Sequence, residues 1–269
     1  MKKYTHFKLS LTLLLFAGTF LAASQSVYAS NLDSNGSVTV ERKETSESAD
    51  PENPGEEVNP GEGPSTKGDL RIDFVSSLNF ASAEITATNR TYDSLAQLFY
   101  SDTAARGYYI QISDFRSEAS GWNLTLSQDS QFSSPIIQTL EDRSLKGATL
   151  SFGNGWANSA GNSQMPVVSR DTLAINEMNT AYTVAVAGKA QGKGVWTIAF
   201  GASGENTSNQ ENTLTALTDE RGNSVIDPTF NKQSYSNSAV SLSVPETIKI
   251  YPVQYTTTLT WSLEAAPTE

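Results

Sequence analysis

Apolar and polar residues alternate in short runs from Leu70 onward, and clusters of Gly, Asn, Asp and Ser separate these runs. The clearest run is YTTTLTWSL (residues 255–263), in which Leu259, Trp261 and Leu263 fall on one face of an extended chain and hydroxyl residues on the other. Successive side chains of a strand point to opposite faces, so the run predicts a half-buried strand. GWNLTLSQ (residues 121–128) repeats the pattern with Trp122 and Leu124 on one face.

Nine such runs predict strands across the chain. They cover residues 70–76, 84–88, 108–115, 121–128, 148–153, 182–188, 194–201, 239–245 and 248–263. Helical periodicity is almost absent, and only residues 91–105 are compatible with one short helix. Residues 69–269 therefore predict one large all-β domain, either a β-sandwich or an elaborated β-barrel-like domain, with long polar loops.

The segment before this domain has a different composition. Residues 30–68 are rich in Glu, Pro, Ser and Gly and contain two NPGE units, which begin at Asn53 and Asn59. Such a segment buries too little apolar surface to offset the entropy cost of ordering, so it predicts a disordered acidic linker.

Residues 1–29 have the three parts of a secretory signal peptide. Three lysines precede an apolar stretch from Leu9 to about Ala23, and a small-residue cleavage site ends at Ala29. That apolar stretch is short for a membrane span, which needs roughly 20 residues. We expect an exported protein with no transmembrane segment after cleavage, and no wall-sorting motif is visible either.

The net charge and the missing residue types exclude several kinds of partner and of catalytic mechanism. Removal of Lys2, Lys3 and Lys8 with the signal leaves 15 basic against 29 acidic residues, a net charge of −14. A surface this acidic disfavours nucleic acid and anionic polymers as partners. The chain has no cysteine, and its only histidine, His6, lies in the signal. Histidine-dependent catalysis, thiol catalysis and zinc sites with these ligands are therefore excluded for the mature protein.

The two tryptophan-containing strands resemble the motifs of the WxL-domain family of Gram-positive surface proteins. That family has an internal Trp-x-Leu and a C-terminal YxxxLTWxLxxxP. The first corresponds here to Trp122 and Leu124. The second corresponds to Tyr255, Leu259, Thr260, Trp261, Leu263 and Pro267.

The resemblance covers roughly residues 68–267 and implies a cell-wall function. It implies non-covalent attachment to peptidoglycan through this domain, and complexes with other surface proteins, including a membrane-anchored partner. Some members of the family are linked to adhesion. The alternative function is therefore a structural or adhesive subunit that protein partners retain on the wall.

The residues leave two interpretations of the motif tryptophans open. Trp122 and Trp261 could stack on sugar rings, because aromatic rings suit the apolar faces of glycans. Their faces also carry leucines, which is typical of core positions, and we favour this burial. Under burial, the motifs determine the fold.

Glycan contacts are then expected elsewhere. Asn123 and Thr258 lie on the opposite, hydroxyl-rich faces of the two strands and are candidates, although such a face is more often simply solvated. Trp156 follows a Gly-Asn-Gly turn in a polar stretch and is a third candidate, although loop aromatics usually fold back onto the sheet.

The acidic residues supply no recognisable catalytic or metal site. Asp114 with Glu118 and Glu141 with Asp142 are nearby pairs without a glycosidase pattern, and the acids at Asp219 lack an EF-hand spacing. We expect no enzyme activity and no cofactor. The sequence thus predicts a secreted, wall-associated binding module of the cell surface.

Overall fold

The computed structural model describes residues 47–266 except 83, 89 and 119. The predicted signal peptide, Pro267 and the first part of the predicted linker lie outside these residues. The described part is all-β and contains no helix, which confirms the all-β prediction. Its strands are β1 (Leu70–Val75), β2 (Thr91–Leu95), β3 (Tyr108–Asp114), β4 (Trp122–Gln128), β5 (Thr149–Phe152), β6 (Gly155–Asn158), β7 (Val167–Val168), β8 (Leu173–Ile175), β9 (Tyr182–Ala187), β10 (Gly194–Phe200), β11 (Leu214–Ala216), β12 (Ile226–Asp227), β13 (Lys232–Gln233), β14 (Tyr235–Ser243) and β15 (Leu259–Ala265).

Two four-stranded antiparallel sheets face each other. One has the order β1-β3-β10-β6 and the other β15-β4-β9-β7. β1 lies beside β15 and β6 beside β7, so the edges of the two sheets meet. Side chains from both inner faces, among them Ile110, Ile198, Leu124 and Val184, form one buried cluster. This is the sandwich arrangement that alternating strands favour, and the sheets of the described residues are open rather than closed into a barrel.

A third sheet packs against the same core. Its order is β11-β14-β5-β8, with β2 also paired to β14. Phe152 on β5 joins the common core, where its ring lies 5.6 Å from that of Tyr108 and 5.0 Å from that of Phe200. β12 and β13 form a separate hairpin.

The helix predicted within residues 91–105 is wrong. Thr91–Leu95 forms β2, in which Ser94 pairs with Asn237 and Leu95 with Ser236 of β14. Pairing with a distant strand overrides the weak local helical signal, as tertiary contacts commonly do. The run at 84–88 forms no strand in the residues described there, and the long strand predicted from residue 248 begins only at Leu259.

The acidic segment before β1 is predicted to be disordered, but its residues 47–62 are ordered. We call these residues the N-terminal strap. The amide of Ala49 donates to Gln111 Oε1 at 2.8 Å, and Gln111 Nε2 donates to the carbonyl of Glu47 at 2.9 Å. Val58 packs in a buried cluster that includes Phe99. The strap is therefore ordered by contacts with the domain that composition alone does not reveal.

Both NPGE units lie in the strap and form turns against the domain. In the first, the amide of Glu56 donates to the carbonyl of Asn53 at 2.8 Å. In the second, the amide of Gly61 donates to Asn59 Oδ1 at 3.1 Å, and the carbonyl of Asn59 accepts from the amide of Tyr100 at 2.8 Å.

Candidate functional site

The two motif strands are direct neighbours in one sheet. β4 and β15 pair antiparallel, with Leu124 opposite Leu263 and Leu126 opposite Trp261. Residues opposite each other in such a pair share a face, so the motif side chains form one continuous apolar surface. That surface faces the sandwich core.

Trp122 is fully buried in this core. Its side chain is 0% exposed, and its indole Nε1 donates to the carbonyl of Gly192 at 3.0 Å. Gly192 has a φ of +65°, and a Cβ there would come within 2.6 Å of the same Nε1. The loop before β10 is therefore fitted against the indole, and Leu124 beside Trp122 is equally buried. A sugar has no access to either side chain.

Trp261 is half-buried and packs against aromatic rings. Its ring stacks on that of Tyr108, with centroids 6.2 Å apart and planes inclined by 24°. Phe152 meets it edge-on at 6.1 Å. Burial raises the pKa of the Tyr108 hydroxyl, which therefore stays neutral. Trp261 thus joins the sandwich to the third sheet.

The remaining motif residues support this packing. Leu259 and Leu263 are half-buried against the core, and Thr260 points outward. Tyr255 precedes β15, and its hydroxyl accepts from the amide of Tyr251 at 3.0 Å. Tyr255 therefore closes a turn instead of extending the strand.

The opposite face of β4 and β15 carries the hydroxyl row. Thr260 lies opposite Ser127 and Ser262 opposite Thr125. Thr260 Oγ1 donates to Asp129 Oδ2 at 3.0 Å, so part of the row is already engaged. Asn123 Oδ1 on this face is buried and has no hydrogen-bond partner among the residues that the structure describes.

Of the other two glycan-contact candidates, one stays accessible and one does not. Thr258 is exposed and lies just before β15, where its carbonyl accepts from the amide of Asp129 at 2.9 Å. Trp156 is in β6 rather than in a loop and is only 5% exposed. Its Nε1 donates to the carbonyl of Gly201 at 3.0 Å. The proposal of a ligand contact at Trp156 is corrected, because its ring lies in the buried cluster of Phe99 and Tyr109.

A buried charge network is the feature that sequence reasoning missed. Arg106 donates from Nε and Nη2 to the two carboxylate oxygens of Asp50, each at 2.8 Å. Its Nη1 lies 3.3 Å from Glu52 Oε2. Glu52 also accepts from the amide and the hydroxyl of Ser203, each at 2.6 Å. The only sequence signal was an arginine inside the apolar stretch that leads into β3.

The network ties the strap to the domain. Burial acts to raise the pKa of Asp50, but the hydrogen bonds from Arg106 and from the Glu52 amide outweigh it, so the pKa lies below its usual value. Asp50 is therefore ionised at neutral pH. The buried guanidinium of Arg106 is thus compensated by two buried carboxylates of the strap.

One acid of each pair singled out in the sequence has a structural partner. Asp114 accepts from Arg116 Nη2 at 2.7 Å, and Asp142 accepts from the hydroxyl of Tyr251 at 2.7 Å. Asp219 caps its own turn by accepting from the amides of Arg221 and Asn223. Within the described residues, no group of three or more acidic or histidine side chains is placed to hold a metal ion.

No helix in the part of the chain that the structure describes has the length and apolarity of a membrane span. No curated protein and no solved structure shows a significant match to the chain. The family model described as "WxL domain surface cell wall-binding" matches residues 27–267. The paired Trp-x-Leu strands and this match over nearly the whole chain lead to one conclusion: the chain belongs to the WxL domain family of cell-wall-binding surface proteins.

Proposed function

We propose that this protein is secreted and attaches non-covalently to the peptidoglycan of a Gram-positive cell wall through residues 69–269. The family match across residues 27–267 carries the proposal, because its description is wall binding at the cell surface. The family is one of binding domains, and we propose that this member likewise performs no catalysis.

The position of the motifs limits where the wall can bind. Trp122 and Leu124 are fully buried in the core, and the ring of Trp261 packs against those of Tyr108 and Phe152. Peptidoglycan must therefore contact outward-facing groups. The acidic surface also favours the neutral sugar and peptide groups of the wall over its anionic polymers.

The direct test is co-sedimentation of residues 30–269 with purified peptidoglycan that carries no protein or anionic polymer. We expect the protein in the pellet and no release of reducing sugar. Protein that stays in the supernatant would exclude direct attachment, and released sugar would contradict a purely binding role.

A second candidate is a subunit held on the wall by a protein partner. The observation that favours it is the position of β15 at the edge of its sheet: among the described strands it hydrogen-bonds with β4 only, although β1 of the facing sheet lies beside it. The amide of Ala266 and the carbonyl of Thr258 both bond toward the β4 side. The antiparallel pattern therefore turns the amides of Leu259, Trp261 and Leu263 away from β4.

Such an edge is a template for an added strand from another protein. The same assay separates the two candidates. A protein that reaches the pellet only when wall-associated proteins remain on the peptidoglycan would favour the partner-held subunit.

A further inference from the structure

A groove of about 280 Å³ lies between the strap, the segment after β2 and the β12–β13 hairpin. It lies away from the motif strands and from the hydroxyl row. Its lining includes Pro60 and Gly61 of the strap, Tyr100 and residues 95–98, and Phe230 between β12 and β13.

An aromatic pair, exposed Tyr100 and half-buried Phe230, lies in this groove. Tyr100 is 54% exposed, which makes it the most exposed aromatic side chain among the described residues. Its ring centroid is 4.7 Å from that of Phe230, with the planes inclined by 45°. Large aromatic rings normally bury such area, so an accessible pair in a groove is typical of a ligand-binding surface.

The pair is held in place from both sides. Gly61 has a φ of +84°, and a Cβ there would lie 3.4 Å from the Tyr100 ring, so the strap backbone lies against the ring. Gln97 Nε2 donates to the carbonyl of Pro60 at 3.2 Å. On the other side, Lys232 Nζ donates to the carbonyls of Ser101 and Thr103 and so fixes the hairpin. The groove is therefore preformed.

The polar lining consists of acids, amides and hydroxyls. Glu62, Asn79, Asp227 and Thr229 line the groove, and its lining among the described residues contains no lysine or arginine. Two carboxylates repel an anionic ligand and accept hydrogen bonds from hydroxyl or amide donors. Asp227 Oδ1 already accepts from the amides of Thr229 and Phe230, so its Oδ2 is the oxygen that would face a ligand. An aromatic platform edged by such acceptors is complementary to a neutral pyranose sugar, which has an apolar face and a rim of hydroxyl groups.

We propose that this groove binds one pyranose unit of a neutral glycan chain, with the sugar face on Tyr100 and its hydroxyl groups toward Glu62 and Asp227. The inference rests on the proposed function and assigns its contact site. Wall recognition then lies on a surface built jointly by the strap and the hairpin, and not on the tryptophan strands.

The test uses residues 30–269 and the variants Tyr100→Ala, Tyr100→Phe and Leu140→Ala. Leu140 is a matched control, because it is also exposed but lies outside the groove. Each protein is titrated with a β-1,4-linked N-acetylglucosamine tetramer by NMR and is sedimented with purified peptidoglycan. Thermal unfolding verifies that each variant is folded.

We expect Tyr100→Ala to weaken binding of both probes by about three- to tenfold, while Tyr100→Phe and Leu140→Ala bind as the wild type does. If the wild type sediments and Tyr100→Ala sediments equally, the groove assignment is wrong and wall attachment stands. If the wild type does not sediment, wall attachment fails, and the tetramer titration then tests the groove alone. If the wild type does not bind the tetramer but binds a lysine-containing stem peptide at Tyr100, the assignment of a sugar as the ligand of the groove is wrong.

Discussion

The guanidinium of Arg106 donates two hydrogen bonds of 2.8 Å to the carboxylate of Asp50, although the residues are 56 positions apart in the chain. Asp50 is in the acidic strap and Arg106 leads into the central strand β3. This bidentate pair is one of several polar links between the strap and the domain, and the Arg106 backbone also pairs with that of Gln97 in the groove lining.

Asp50→Asn should release the strap. The substitution leaves Arg106 and Glu52 buried without their full set of partners, and breaking a buried pair of this kind costs about 3–5 kcal/mol. We expect faster proteolysis within residues 47–62 and a lower free energy of unfolding in urea. Asp219→Asn is the control, since Asp219 is exposed and caps a surface turn. A strap that stays protease-resistant in Asp50→Asn would show that its apolar contacts suffice.

The same carboxylate makes the stability depend on pH. Its pKa is lower in the folded protein than the ordinary value of 3.8, so its contribution is complete above that value and is lost as the pH falls through the folded pKa. Between about pH 5 and pH 2, the free energy of unfolding of the wild type should fall more steeply than that of Asp50→Asn. Parallel curves for the two proteins would contradict an ionised, paired Asp50.

Trp122→Ala should unfold the domain or bring it close to unfolding. Loss of a fully buried indole costs about 3–5 kcal/mol, and here it also leaves the carbonyl of Gly192 without its donor. Urea unfolding followed by circular dichroism measures the loss, with Leu140→Ala as the exposed control. A loss under about 1 kcal/mol would be incompatible with a core role for this motif tryptophan.

Gly192→Ala should destabilise the protein more than Gly194→Ala. Both glycines have positive φ, so both variants are strained, but a Cβ at Gly194 meets no atom within 4 Å. A Cβ at Gly192 would lie 2.6 Å from Trp122 Nε1 and 2.7 Å from the Cβ of Ala187. The difference between the two variants in urea unfolding therefore measures how closely the loop packs on Trp122. Equal losses would mean that strain alone matters.

Tryptophan fluorescence should be largely protected from acrylamide. Trp122, Trp156 and Trp196 are buried, and only Trp261 is half-exposed. Trp261→Phe should therefore remove most of the quenchable emission and leave a blue-shifted signal. Strong quenching that survives in Trp261→Phe would show that another tryptophan is accessible.

The sequence predicts the central strands well because their patterns are local. The expected strands at 108–115, 121–128 and 194–201 correspond closely to β3, β4 and β10. β4 alternates because one of its faces is buried, whereas β3 is buried on both faces although Gln111, Ser113 and Asp114 interrupt its apolar residues. The adjacency of Trp-x-Leu strands could be suggested from their shared pattern, but only the three-dimensional pairing of Leu126 with Trp261 establishes it.

The sequence fails where order depends on distant partners. The strap looks disordered because carboxylates are unfavourable to bury without a partner. Their partner, Arg106, is far away in the chain, and no local pattern indicates the pairing. The groove is hidden for the same reason, since Tyr100 and Phe230 come from separate segments. Trp156 looked like a loop residue because β6 is only four residues long and follows a turn.

The pairing of β4 with β15 has a kinetic consequence. Gln128 at the end of β4 and Thr257 before β15 bond across 129 positions, and ten strands lie between their two strands in the chain. Contacts so distant in sequence close late and slowly during folding. Until β15 pairs with β4, one edge of β4 is unpaired and part of the packing around Trp122 is missing. An incompletely translated or truncated chain would therefore stay open to capture by chaperones or to aggregation, and the Trp-x-Leu pairing is the step that ends this exposure.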